Sequence, residues 1–62
     1  MIGAVGRVTV PIPAGGLGEV LLPVRGGTEA FAAWAEKAIG KHTTVIVVES
    51  PTPRSVIVAP FP

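Results

Sequence analysis

Side chains that could act as nucleophiles or bases are few in this chain and are spread along it. The hydroxyls available for covalent catalysis are those of Ser50, Ser55 and five threonines, and His42 is the one histidine. A serine nucleophile needs a base within hydrogen-bonding reach and a third group that orients that base. His42 instead lies beside Lys41 in a predicted turn, and the sequence has no G-x-S-x-G motif. We therefore interpret His42 as an exposed turn residue and expect no catalytic residues.

The patterns that could bind a metal or a cofactor also have structural explanations. The four acidic residues are all glutamates, and we expect them to face solvent rather than to form a catalytic carboxylate pair. A chain with no cysteine and one histidine lacks the ligands of a structural zinc site. The run Gly15-Gly16-Leu17-Gly18 lacks the Lys-Ser/Thr ending of a phosphate-binding loop. We predict a turn there, and no metal or cofactor anywhere in the chain.

Composition indicates a small folded domain and excludes several functional classes. The chain has 62 residues, of which 48% are hydrophobic and 15% charged, the opposite of a disordered segment. Its net charge of +1 gives little attraction for nucleic acid or anionic lipid. The longest apolar run, residues 30–35, is too short to span a membrane, and the first residues do not have the pattern of a secretory signal. We expect a single domain over residues 1–62.

Short apolar runs separated by glycine and proline predict an all-β fold. The first strand is predicted within Gly3–Ile12, with alternate apolar side chains, Val10 among them, directed inward. The second strand covers Leu17–Val24, where Pro23 cannot donate to a ladder and therefore indicates a strand edge or a bulge. These two runs are the expected start of a small sheet or barrel.

The segment 28–39 has two interpretations. As a helix, it begins with Thr28 as the N-cap and ends before Gly40, and its alanine content favours this choice on local propensity. As a strand, it directs Phe31 to one face and Trp34 to the other. The helix alternative would make the domain α+β.

Two β-branched runs complete the predicted sheet. The run Thr44–Glu49 is apolar on both parities, as in a strand that is buried on both faces or closes a barrel. A proline-containing turn follows, and Ser55–Ala59 is the predicted last strand. The tail 60–62 is expected to cover the barrel.

The order of these signals is similar to that of a known family. The shared glycine and apolar positions are G-x-V-G-x-V-T over 3–9, Gly18-Glu19-Val20, I-x-K-x-T-x-V-x-V-V over 39–48, and V-x-V-x-P over 56–60. On this pattern the chain resembles the soluble C-terminal domain of NfeD-like proteins. The resemblance implies a five-stranded β-barrel of OB type in which Ala30–Ala35 belongs to the third strand, and we adopt that fold. Where the family has glycine after the lysine, this chain has His42, which takes a positive φ only with strain.

The resemblance implies a protein-interaction module that is not an enzyme. The implied partners are stomatin-, prohibitin- or flotillin-like membrane scaffold proteins, with a role in membrane organisation or membrane-protein quality control. Family members normally carry transmembrane helices before this domain, so we expect either a piece of a membrane protein or a short free-standing version. We expect a soluble domain at a membrane face, with the cytoplasmic side favoured.

The residues themselves suggest where such a module makes contact. We name Trp34, Pro23 and Phe61 as the candidate interaction surface, and we expect Phe31 to pack in the core. Trp34 either contributes to an apolar contact patch or packs over a barrel end or under the proline-rich tail. An exposed patch or strand edge would favour a homo-oligomer. The alternative function is an OB domain that binds single-stranded nucleic acid, for which three aromatic residues and five dispersed cations give little basis.

Overall fold

The structure, a computed structural model, describes residues 2–61 and contains five β-strands in this part of the chain. The strands are Val5–Val10 (β1), Leu17–Val24 (β2), Gly27–Trp34 (β3), Thr44–Thr52 (β4) and Ser55–Pro60 (β5). No helix occurs among residues 2–61, so the helix alternative for 28–39 is wrong. It follows that the described residues contain no helix that could cross a membrane.

The strands form a closed barrel in the order β1-β2-β3-β5-β4. Pairing of β4 with β1 closes the barrel, and β3 runs parallel to β5 while the other strand pairs are antiparallel. This is the strand order of an OB-type barrel, as predicted. The β-branched run in β4 therefore belongs to the strand that closes the barrel, the second of the two interpretations given for it.

Strand β3 forms despite a local composition that favours a helix. It pairs with β2 along its whole length, from Leu17 opposite Trp34 to Val24 opposite Gly27. Gly26, with a φ of 81°, supplies the left-handed conformation in the turn between the two strands. The hairpin satisfies the backbone hydrogen-bonding groups of the segment and buries one face of the strand. The free energy gained in this way outweighs the weak local preference for a helix.

The barrel interior is filled by side chains that alternate along the strands. Phe31 is 7% exposed and lies in this core, as predicted. The buried side chains that the structure describes are all apolar: Val8, Ile12, Val20, Leu22, Phe31, Ala33, Ala35, Ile39, Val45, Val47, Val56 and Val58. Burying a Val, Leu, Ile or Phe side chain stabilises the fold by about 1.5–3 kcal/mol, so this set supplies the main driving force for folding.

The prediction that Val10 points inward is wrong because β1 contains a bulge. Val8 pairs with Val20 and Val10 pairs with Glu19, so the register shifts between them and turns Val10 outward, where it is 48% exposed. The bulge passes close over β2: a Cβ on Gly18 would lie 2.5 Å from the carbonyl oxygen of Val10. Glycine at this position allows the two backbones to approach.

The turn before β4 keeps a left-handed residue although glycine is replaced by histidine. His42 has a φ of 71°, and its backbone N–H donates a hydrogen bond to the carbonyl oxygen of Val8 at 2.8 Å. Histidine is among the non-glycine residues that tolerate this region. Histidine in place of glycine therefore still gives a residue with a positive φ at this turn.

Candidate protein-contact surface

A gap opens between β3 and β5 directly after Trp34. The two strands pair over three positions, and the last pair is Trp34 with Ile57. The chain then turns towards the β1–β2 connection, where the carbonyl oxygen of Ala35 accepts a hydrogen bond from the N–H of Gly15 at 3.0 Å. Strand β5 continues to Pro60, and beyond Ile57 it pairs with β4 on one side and with none of the described strands on the other.

The gap forms an open groove of about 420 Å³. Its apolar lining consists mainly of Trp34, Val48, Ile57, Ala59 and Pro60. We call this surface the Trp34 groove. A groove of this size accommodates a few side chains of a partner, which is the scale of the central contact in a protein interface.

An apolar row crosses the outside of the barrel and continues the groove. Trp34 pairs with Leu17 of β2 on one side and with Ile57 of β5 on the other. In β4, the register shifts between Val47 and Glu49, so Val48 and Glu49 together oppose Ile57. Leu17 is 65% exposed, and Trp34 and Ile57 are half-buried.

Charged side chains and backbone carbonyls lie at the margin of the Trp34 groove. Glu36, Lys37 and Glu49 line it, and all three are exposed. The N–H of Phe61 donates to the carbonyl oxygen of Thr44 in β4 at 3.0 Å. Since backbone groups alternate in direction along a strand, the carbonyls of residues 58 and 60 face the groove, and Pro60 brings no N–H. The groove is therefore apolar at its centre and rich in hydrogen-bond acceptors.

The hydroxyl groups have a structural role at the other end of β5. Ser50 Oγ donates to the carbonyl oxygen of Thr52 at 3.0 Å, and Thr52 Oγ1 and Ser55 Oγ share a hydrogen bond of 2.8 Å. These contacts hold the β4–β5 turn. His42 precedes β4, whereas Ser50 lies six positions after Thr44, about 20 Å along an extended strand. The hydrogen bonds found for the two serine hydroxyls among residues 2–61 do not involve His42. The same residues contain no cluster of three metal-ligating side chains.

The three residues predicted as an interaction surface lie in different places. Trp34 lines the groove, whereas exposed Pro23 lies near Val5, Arg7 and Leu21 on the β1 side of the barrel. Phe61 is 45% exposed, whereas the tail was expected to cover the barrel. The structure therefore brings neither Pro23 nor Phe61 to the groove.

Sequence reasoning missed the residues that extend the surface around Trp34. These are Leu17, Val48 and Ile57, which are outward-facing and apolar. The signal was present in β4 and β5, whose β-branched residues occupy both parities. One parity fills the core, and the other places apolar side chains on the outside of a closed barrel.

The alternative function, binding of single-stranded nucleic acid, finds no support in the barrel surface. OB folds bind oligonucleotides on the face of β2 and β3, where cations and aromatic side chains contact the strand. Here those two strands contain Glu19 and Glu29, no lysine or arginine, and Trp34 as the outward aromatic residue. These two strands therefore offer no cation to a phosphate group.

Comparisons with known proteins agree with this architecture. The model of the NfeD C-terminal domain matches residues 5–59. The soluble domain of the NfeD protein YuaF from Bacillus subtilis, solved in solution, is similar with a TM-score of 0.82 and 33% sequence identity, over 94% of this chain and 70% of that chain. A search of curated proteins gave no match. Since the family model covers nearly all of the barrel, the chain belongs to the NfeD C-terminal domain family.

Proposed function

We propose that this domain binds other proteins through the Trp34 groove and performs no catalysis itself. The observation that carries the proposal is the apolar row Leu17–Trp34–Ile57 on the outside of a barrel whose interior is already filled. Apolar side chains on the outer face add nothing to the core. They are what a partner would bury.

Trp34 is the expected anchor of the contact. Tryptophan is enriched among interface residues whose truncation costs about 2 kcal/mol or more. Trp34 is half-buried between Leu17 and Ile57, so its ring is already oriented before a partner arrives. Little side-chain entropy is then lost on binding, which favours affinity.

The partners that we propose are stomatin-, prohibitin- or flotillin-like membrane scaffold proteins. Membership of the NfeD C-terminal domain family supports this choice. Residues 1–62 would act as one interaction module at a membrane face, on the cytoplasmic side, in membrane organisation or membrane-protein quality control. The acceptor-rich margin of the groove suits a partner segment that presents apolar side chains together with N–H donors or a cation.

The test is binding of the purified domain to a purified flotillin- or stomatin-like protein, measured by calorimetry. We expect Trp34→Ala to weaken binding about 30-fold, the equivalent of about 2 kcal/mol. Phe61→Ala is the matched control, because Phe61 is an exposed aromatic residue outside the groove, and it should change affinity less than about threefold. Equal effects of the two substitutions would contradict the proposal. Salt-sensitive binding of a single-stranded oligonucleotide would favour the alternative function.

A further inference from the structure

A second apolar surface lies on the β1 side of the barrel and carries one cation. Arg7 of β1 pairs with Leu21 of β2 on one side and with Thr44 of β4 on the other. Val5 and Leu21 are 40% and 38% exposed, and Pro23 is exposed beside them. We call the surface formed by Val5, Arg7, Leu21 and Pro23 the Arg7 face.

The Trp34 groove and the Arg7 face are complementary in chemistry. Both are apolar, but the groove offers acceptors, the carboxylates of Glu36 and Glu49 and the carbonyls of residues 58 and 60, against the single cation Lys37. The Arg7 face offers a guanidinium, whose five N–H donors match carboxylate and carbonyl oxygens. The groove supplies acceptors for the guanidinium, and the Arg7 face supplies donors for those acceptors.

The two surfaces are centred on different strands and meet at Ile46 of β4, which pairs with Val5 on the Arg7 face and with Ala59 in the groove. The Arg7 face is centred on β1 and the groove on β5, and β4 lies between these strands in the closed order β1-β2-β3-β5-β4. Within β4, Thr44 borders the Arg7 face whereas Val48 and Glu49 border the groove. The surfaces share no lining residue, so a substitution in one leaves the side chains of the other in place.

We propose that the Trp34 groove of one copy binds the Arg7 face of a second copy, head to tail. The inference rests on the proposed function in one respect, that the groove is a protein-contact surface, and it names a second copy of this chain as an occupant. A head-to-tail contact leaves one groove and one Arg7 face free in every dimer, so association continues into longer assemblies.

Two-fold pairing of like surfaces, face on face or groove on groove, is less favourable on the same charges. Two Arg7 faces brought together would place the guanidiniums against each other. Two grooves brought together would bury Glu36 and Glu49 of both copies against too few lysines. The net charge of +1 causes little general repulsion between copies.

The surface of the barrel is large enough for both contacts. The accessible surface is 3892 Å². A standard interface covers about 800 Å² on each partner, so two of them would occupy about two-fifths of that surface. Two open surfaces are expected to bury less than this, which makes the contact weak and dependent on concentration and, because charges are involved, on salt.

The experiment uses sedimentation of three proteins. Wild type should show a weight-average mass that rises with concentration past the dimer without a plateau, and that falls when salt is added. Arg7→Glu removes the Arg7 face and Trp34→Glu removes the groove, so each variant alone should remain a monomer. Mixed in equal amounts they should form a dimer that does not grow, because one variant keeps the groove and the other keeps the Arg7 face. Arg25→Glu, in the β2–β3 turn outside both surfaces, should behave as wild type.

Fluorescence gives a second readout of the same mixture. The chain has one tryptophan, so Trp34→Glu is dark and Arg7→Glu reports on its own groove. Addition of the dark variant should shift the emission of Arg7→Glu to shorter wavelength. If Trp34→Glu fails to fold, as judged by circular dichroism, Leu17→Glu replaces it in the sedimentation experiment only, since Leu17 is 65% exposed in the same apolar row but the variant keeps Trp34.

Three results would overturn the inference: a wild-type monomer at millimolar concentration, a mixture that stays monomeric, or Arg7→Glu that still associates alone. The last would indicate two-fold pairing of grooves. Each of these outcomes is separable from the proposed function. If the wild type is a monomer but Trp34→Ala still loses the scaffold protein, the second-copy contact is wrong and the proposed function stands.

Discussion

Trp34 of β3 and Ile57 of β5 are register partners at the point where these two parallel strands separate. Their side chains point away from the core. The preceding residue in each strand, Ala33 in β3 and Val56 in β5, is buried in it. The pair therefore joins the two features of the candidate site, the apolar row across the barrel and the groove that opens beyond it. The following predictions test this geometry and the fold that holds it.

Ile57→Ser should weaken partner binding while Ile46→Ser should not. Both isoleucines are half-buried on the outside of the barrel, but Ile57 lines the groove and Ile46 does not. The two substitutions remove similar apolar surface, so we expect similar losses of stability, about 1 kcal/mol each. Calorimetric titration should show about a tenfold loss of affinity for the scaffold protein with Ile57→Ser alone. A tenfold loss of affinity in both variants would mean that the loss comes from reduced stability and not from a change in the groove.

Leu22→Ala should lower the stability of the domain, whereas Leu17→Ala should weaken partner binding and leave stability nearly unchanged. Leu22 is fully buried and Leu17 is 65% exposed on the same strand, β2. Truncation of the buried residue leaves a cavity and should lower the free energy of unfolding by about 2–5 kcal/mol. Truncation of the exposed residue should change it by less than about 0.5 kcal/mol but weaken partner binding. Urea denaturation measures the first quantity, and equal losses in the two variants would contradict the assigned barrel interior.

Gly18→Ala should destabilise the domain and Gly27→Ala should not. A Cβ on Gly18 would lie 2.5 Å and 2.6 Å from the carbonyl oxygens of Val10 and Pro11, whereas a Cβ on Gly27 would meet nothing within 4 Å. The backbone would have to move apart at the β1 bulge, at a cost of about 1–3 kcal/mol. Thermal unfolding followed by circular dichroism compares the two, and an unchanged Tm for Gly18→Ala would show that β1 and β2 do not approach as described.

His42→Gly should stabilise the domain slightly. A non-glycine residue at positive φ costs about 1–2 kcal/mol, and glycine loses about 0.5–1 kcal/mol through its greater freedom in the unfolded chain. The φ of 71° at His42 therefore predicts a net gain of up to about 1 kcal/mol. His42→Ala is the control, because alanine keeps the strain, and it should give no gain. A gain of equal size in both variants would point to the imidazole rather than to the backbone.

Much of the fold follows from the sequence because alternation and turn residues specify it locally. The bounds of β2, Leu17–Val24, are those predicted, and β5 extends the predicted run by one residue to Pro60. The third strand could not be predicted from its local sequence. Its alanines favour a helix locally, and only the family resemblance pointed to the hairpin with β2 that overrides this preference.

The limits of sequence reasoning appear at the bulges and at the groove. Val10 has the right parity for the core, but a one-residue shift against β2 turns it outward, and pairing partners far along the chain determine that shift. Trp34 could be named as an outward aromatic residue from its strand parity. Its neighbours Leu17 and Ile57 were not named, because the register of the β2–β3 hairpin and the pairing of distant β5 with β3 have to be known before the row exists.

The most direct test of the Trp34 groove is an NMR titration of the isotope-labelled domain with a purified flotillin- or stomatin-like protein. The single indole N–H gives one resolved signal for Trp34, and backbone amides report on the rest of the barrel. We predict that the indole signal and the amides of 34–37, 48–49 and 57–59 shift or broaden together, while those of the β4–β5 turn at 50–54 do not. Binding that moves the turn or the Arg7 face and leaves the indole signal unchanged would contradict the assignment of the groove as the contact surface.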